Sequence, residues 1–253
     1  MSTQQSINPD SGPLARAARL GLWALPVWAA LLFASVITHQ PNWRTQLADW
    51  SRYVTTPEFL ASHLVASILG AATGALGLVA LGAVLASRGH PRAGLWVMVT
   101  GVFANVVSAA GFGIAALAQP AIGRDYLAGN TAQANLLVHT VVNGKWMNVT
   151  AVTSEILLIV SVVVAGVAVA RSGSLPRAAG IGFPISLVLF VIGGIPDKGP
   201  WQAIAGALMI ASTAWIAAAA GRRSAPALAA AAGDTVPAAS PAGDRQARSA
   251  RVR

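Results

Sequence analysis

Apolar residues in this chain fall in unbroken runs separated by short polar breaks, without the strict alternation of a half-buried strand. About 20 residues at 1.5 Å rise cover the roughly 30 Å hydrocarbon core of a bilayer, so a run of that length reads as a membrane-spanning helix. Six are predicted, over residues 20–39, 59–86, 93–118, 149–170, 178–195 and 201–220. The first exceeds the roughly 7–15-residue apolar core of a signal peptide and lacks a cleavage site, and Pro26 predicts a kink in it. The fifth is short and interrupted by Gly180, Gly182, Pro184, Gly193 and Gly194. Residues 1–19 read as a disordered arm, and 221–253, built of Ala, Pro and Arg with no apolar period, as a disordered basic tail. The expected fold class is all-α, a polytopic membrane helical bundle with six transmembrane helices.

Two connections carry pattern of their own. In residues 40–57, Trp43, Leu47, Trp50 and Val54 form an apolar stripe at helical spacing, which fits either a short helix in the membrane interface or a polar loop with interfacial tryptophans. Pro57 and Glu58 suit the first turn of the second span. Residues 119–148 form the longest connection, in which 136–142 is apolar enough for an interfacial or re-entrant helix bearing His139.

Composition settles the solvent. With 55% apolar and 10% charged residues and a mean hydropathy of +0.62, the chain has too little polar surface for a soluble domain of its length. The net charge of +9 then reports topology, not nucleic-acid binding, because basic residues concentrate in cytoplasmic loops. Arg16, Arg19, Arg88, Arg92, Arg171, Arg177, Arg222 and Arg223 fall on one side, whereas Asp49, Glu58, Asp125 and Asp197 fall on the other. That asymmetry puts the N- and C-termini in the cytoplasm and the chain in a bacterial cytoplasmic membrane. Arg245, Arg248, Arg251 and Arg253 make the tail a candidate for anionic lipid headgroups, or a topology signal alone. The absence of cysteine removes disulfides and thiolate metal sites.

The hairpin Arg171-Ser-Gly-Ser-Leu-Pro-Arg177, following His139 and an apolar span, resembles an uncharacterised six-span bacterial membrane family of the "domain of unknown function" type. The resemblance implies a fold and no activity.

Candidate chemistry lies in polar residues within the spans. Glu155 is an acid inside the fourth run, and an intramembrane ionisable group is a functional candidate. His63, Ser67, Gly70, Gly74 and Gly77 share one face of the second span, and Gly101, Asn105 and Ser108 one face of the third. Small faces let helix backbones approach in lipid. The sequence therefore offers an outward-facing polar pocket around Glu155 and His63, with Asn105, Ser108 and His139 as further ligand- or proton-binding candidates, in a small transporter or permease-like protein. The alternative is a structural or regulatory membrane protein in which these residues only hold helices together, with an intramembrane enzyme third. No zincin, nucleophile-elbow or P-loop motif occurs, and no metal or cofactor is expected.

Overall fold

A computed structural model describes residues 12–35, 40–193 and 200–222. The proposed tail beyond Arg222, most of the N-terminal arm, the last residues of the first and fifth runs, and Asp197 and Lys198 lie outside the described residues. Among the described residues the chain is all-helical: α1 Pro13–Gly21, α2 Ala24–Ser35, α3 Leu47–Val54, α4 Pro57–Ala61, α5 Gly70–Ser87, α6 Pro91–Leu127, α7 Thr131–Leu137, α8 Lys145–Arg171, α9 Arg177–Gly193 and α10 Pro200–Arg222. Two π-helical stretches, Ser62–Leu69 and Val138–Val142, join α4 to α5 and extend α7. Five helical stretches are long and apolar enough to cross a membrane, namely Pro13–Ser35, Pro57–Ser87, Pro91–Leu127, Thr131–Arg171 and Pro200–Arg222, and α9 is a shorter apolar helix. These features describe a multi-pass membrane protein.

The helices close into a ring. α2 packs on α5, α5 on α6, α6 on α8, α8 on α9, α9 on α10, and α10 returns to α2. Close approaches mark the antiparallel packing at four of these six steps: Gly77 by Leu25 and Gly70 by Leu31, Gly82 by Gly94 and Gly74 by Asn105, Gly166 by Gly180, Gly182 by Ser212 and Gly193 by Gln202. Where Gly82 and Gly94 meet, a Cβ on Gly82 would lie 2.5 Å from the Gly94 carbonyl oxygen, so only hydrogen fits between the two backbones. Inside the ring, Trp28 of α2 meets Phe183 of α9 edge to face with centroids 6.1 Å apart. The outside is the reverse of a soluble surface, with Val99, Phe103, Val160, Ile185 and Leu208 among many exposed large apolar side chains.

Several element boundaries differ from the expected ones. Residues 13–19, read as part of a disordered arm, form most of α1, which packs against α5 and α10. The break between α1 and α2 falls at Leu22 and Trp23, because Pro26 has no N–H to offer the Leu22 carbonyl four residues back, which accepts from the Leu25 N–H instead. The third helix does not stop at residue 118 but runs through Pro120 to Leu127, so the supposed long connection is helical except near Gly129 and Gly144. At 37 residues α6 is roughly 55 Å long, well beyond a bilayer core.

The projecting end of α6 carries a second apolar cluster. Trp50, Val54 and Phe59 pack there with Ile122, Ala134 and Val138. Leu47, Trp50 and Val54 of the stripe thus fall on a helix, α3, with Trp43 in the turn before it, but the Trp50 indole is fully buried against protein and is not spread in a lipid interface. Gly123 permits this contact, since a Cβ there would sit 2.6 Å from Val54. We call this the cap end. The opposite end gathers the basic residues flanking α5, α6, α8, α9 and α10 and is called the arginine end. Its turns are short, and Gly89 (φ 87°) and Gly173 (φ 59°) supply left-handed backbone that other residues rarely adopt.

Candidate functional site

The polar residues of the spans divide by height. Near the cap, His63 lies on the first π-helical stretch, half-buried, with its ring 4.0 Å from that of Phe59. Its Nδ1 is 3.0 Å from both the Phe59 carbonyl oxygen and Ser62 Oγ. Ser62 Oγ donates to the Phe59 carbonyl, and Ser67 Oγ to the Ser62 carbonyl five residues back, the spacing of a π-turn. The glycine face below it turns toward α2: Gly70, Gly74 and Gly77 receive Leu31, Trp28 and Leu25. This face is a packing surface, and the π-helical stretch takes His63 out of simple α-helical register with it.

His139 lies on the other π-helical stretch, exposed, with Trp43 edge-on at 4.8 Å. The two π-helical stretches each carry a histidine, although His63 and His139 pack against different aromatic partners.

Halfway across the ring, Asn105 and Ser108 are buried on the face of α6 that their spacing predicts. Asn105 Nδ2 donates to the Gly101 carbonyl at 2.8 Å, and Ser108 Oγ donates to that of Ala104. Asn105 Oδ1 is aimed at the bare Cα of Gly74 and has no hydrogen-bond partner among the described residues. Three further buried hydroxyls escaped sequence reasoning: Ser161 of α8, Ser186 of α9 and Thr213 of α10. The antiparallel registers put them within roughly two turns of the Asn105 level. Ser186 and Thr213 donate back along their own helices, to Phe183 and Met209, as hydroxyls in apolar helices do. Ser161 Oγ is fully buried and has no partner among the described residues. The signal for these residues was available as isolated polar positions within apolar runs, but only the packing shows that they face inward.

Glu155 departs from the expectation. It is exposed and makes no hydrogen bond or ion pair among the described residues. It shares a helical stripe with Val162, Ala165 and Val169, which are buried against the core and α9. α9 packs along the lower part of that flank, and no residue of α8 before Ser161 is buried. His63 and Glu155 stand on elements separated by α6 and differ in height by roughly 12 Å. The structure does not bring them into one pocket, and the expected pairing of Glu155 with His63 or Asn105 is not formed.

The arrangement therefore offers an acid on the exposed flank of α8, three buried oxygens without a hydrogen-bond partner among the described residues (Asn105 Oδ1, Ser161 Oγ and Gln202 Oε1), and a histidine tied into the cap. An unpartnered buried acceptor costs about 1–3 kcal/mol unless water or a ligand satisfies it. No three His, Asp or Glu side chains among the described residues come close enough to hold a metal ion. Comparison with family models, curated proteins and solved structures gives no match to this chain.

Proposed function

We propose that the chain is a six-span protein of the bacterial cytoplasmic membrane, with both termini on the cytoplasmic side, that moves a small polar solute or a proton through the middle of its ring. The six-span count adds α9, at 17 residues, to the five longer helical stretches. The orientation rests on the arginine end, where Arg16, Arg19, Arg88, Arg92, Arg171, Arg177 and Arg222 gather with no acid among the described residues, as the positive-inside rule requires of a cytoplasmic face. The observation that carries the transport reading is the set of buried oxygens without a partner among the described residues, Asn105 Oδ1, Ser161 Oγ and Gln202 Oε1, together with the exposed stretch of α8 that holds Glu155. Discontinuous or short helices beside a mid-membrane polar site are the pattern of secondary transporters.

A second reading has its own support. Trp28 and Phe183 fill the interior of the ring, and the Gly–Gly contacts are those of a static bundle, which suits a structural or regulatory membrane protein. Flux separates the two. In proteoliposomes containing the purified full chain, with pyranine inside for protons and stopped-flow light scattering for glycerol, transport predicts a protein-dependent rate that falls at least tenfold in Asn105→Leu. Rates equal to those of protein-free vesicles in both assays leave the structural reading.

A further inference from the structure

At the arginine end, a groove of about 390 Å³ opens between the start of α6 and the end of α8. Ala93 and Trp96 form one wall, Val164, Val167 and Ala168 the other, and His90, Arg171 and Ser172 close one end. The groove is thus apolar along its length and cationic at its mouth. It lies on the outer surface of the ring, since Trp96, Val163 and Val167 are exposed, and it follows α8 for roughly 12 Å from Arg171 toward the bundle middle.

Arg171 is exposed, as is Arg92 beside Ala93, and neither has an acidic partner; the one salt bridge among the described residues is Arg52–Asp49, at the cap end. The mouth is also held in shape. His90 Nε2 is 3.0 Å from the Ser172 carbonyl oxygen, which ties the turn before α6 to the hairpin after α8. Arg88 Nη1 donates to the Ser174 carbonyl next to it. The Trp96 indole sits just over one helical turn inside α6, at the depth where tryptophan marks the boundary between headgroups and chains.

We infer that this groove is a binding site for one anionic glycerophospholipid of the surrounding leaflet, with its phosphate at Arg171 and an acyl chain laid along Val164 and Val167. An apolar slot that opens sideways to the bilayer admits a chain, and the Arg171 guanidinium at its mouth, with no acidic partner among the described residues, selects a negative headgroup over a zwitterionic one. A soluble anion would use the mouth and leave the slot empty, so the slot is what favours a lipid. The basic residues of the tail lie outside the described residues and take no part in this site.

Native mass spectrometry of the full chain, delipidated and titrated with phosphatidylglycerol or phosphatidylcholine in mixed micelles, tests the inference. Wild type should retain one phosphatidylglycerol in preference to phosphatidylcholine, and Arg171→Gln should weaken that retention roughly fivefold, the weight of one basic residue near the surface. Val167→Trp, which fills the slot from an exposed position and leaves every charge in place, should lower retention by a similar factor. Glycerol phosphate, a headgroup without chains, should not compete. The inference is overturned if wild type shows no headgroup preference, if both variants retain lipid like wild type, as binding by the tail would give, or if Arg171→Gln alone has an effect, which would mean charge attraction without a groove.

Discussion

The two ends of the ring are held by different forces. At the arginine end, chain reversals are short and side chains clamp backbone: Arg88 donates to the carbonyls of Ser174 and Ala220, both at 3.0 Å, joining the α5–α6 turn, the α8–α9 hairpin and the last turn of α10. Charged donors on helix-terminal carbonyls are among the stronger hydrogen bonds available, and the carbonyls concerned would otherwise go unsatisfied. At the cap end, a long extension of α6 collects α3, α4 and α7 around Trp50 and Phe59 by apolar burial, with Trp50 Nε1 and Ser51 Oγ left unpartnered. The directional clamp fixes one geometry, whereas apolar contact tolerates sliding. The cap end is also where the flank of α8 around Glu155 is exposed.

Breaking each end separately should expose the difference. Trp50→Ala removes the largest side chain of the cap and should cost about 3–5 kcal/mol. In hydrogen exchange its effect should stay within α3, α7 and the end of α6, and spread to the Arg171–Arg177 hairpin would show that the ends are coupled. Arg88→Ala should cost about 2–3 kcal/mol, with exchange rising at the hairpin and the end of α10 while α3 is unchanged. Lysine at this position should recover only part of the loss, since one ammonium cannot span two carbonyls as a guanidinium does.

Smaller effects sharpen what lies between the ends. Ser161→Ala should change thermal stability in detergent by no more than about 0.5 kcal/mol, because it deletes a hydroxyl that has no partner. A loss above about 1 kcal/mol would mean that the hydroxyl is bonded in solution. The smallest effect is the coupling between Glu155→Gln and His63→Gln. With α6 between the two side chains, a double-mutant cycle should close to within about 0.3–0.5 kcal/mol, and a larger coupling would restore a shared pocket.

Hydropathy made the spans legible because lipid admits only continuous apolar helix, yet it misjudged where helices end. Gln119, Pro120, Arg124 and Asp125 look like a loop after the third span, but Ile122 and Gly123 are buried against the cap and carry the helix on. The inward faces of Asn105 and Ser108 followed from spacing alone. Glu155 shows the limit. The acid was legible, but not that it faces outward, because which helix covers which flank is set by the closure of the ring. Ser161 was missed for the same reason, one polar position in an apolar run looking the same whether it faces lipid or core.

The central claim is that the unpartnered oxygens at mid-ring are reached by water from the cap side. Because the chain has no cysteine, Ser161→Cys introduces a single thiol whose labelling reports on that position alone. In right-side-out vesicles, a membrane-impermeant methanethiosulfonate reagent should modify this thiol, at a rate within about 100-fold of an exposed Glu155→Cys control. A thiol that resists the reagent from both sides while the control reacts would contradict the claim and leave a dry, static bundle.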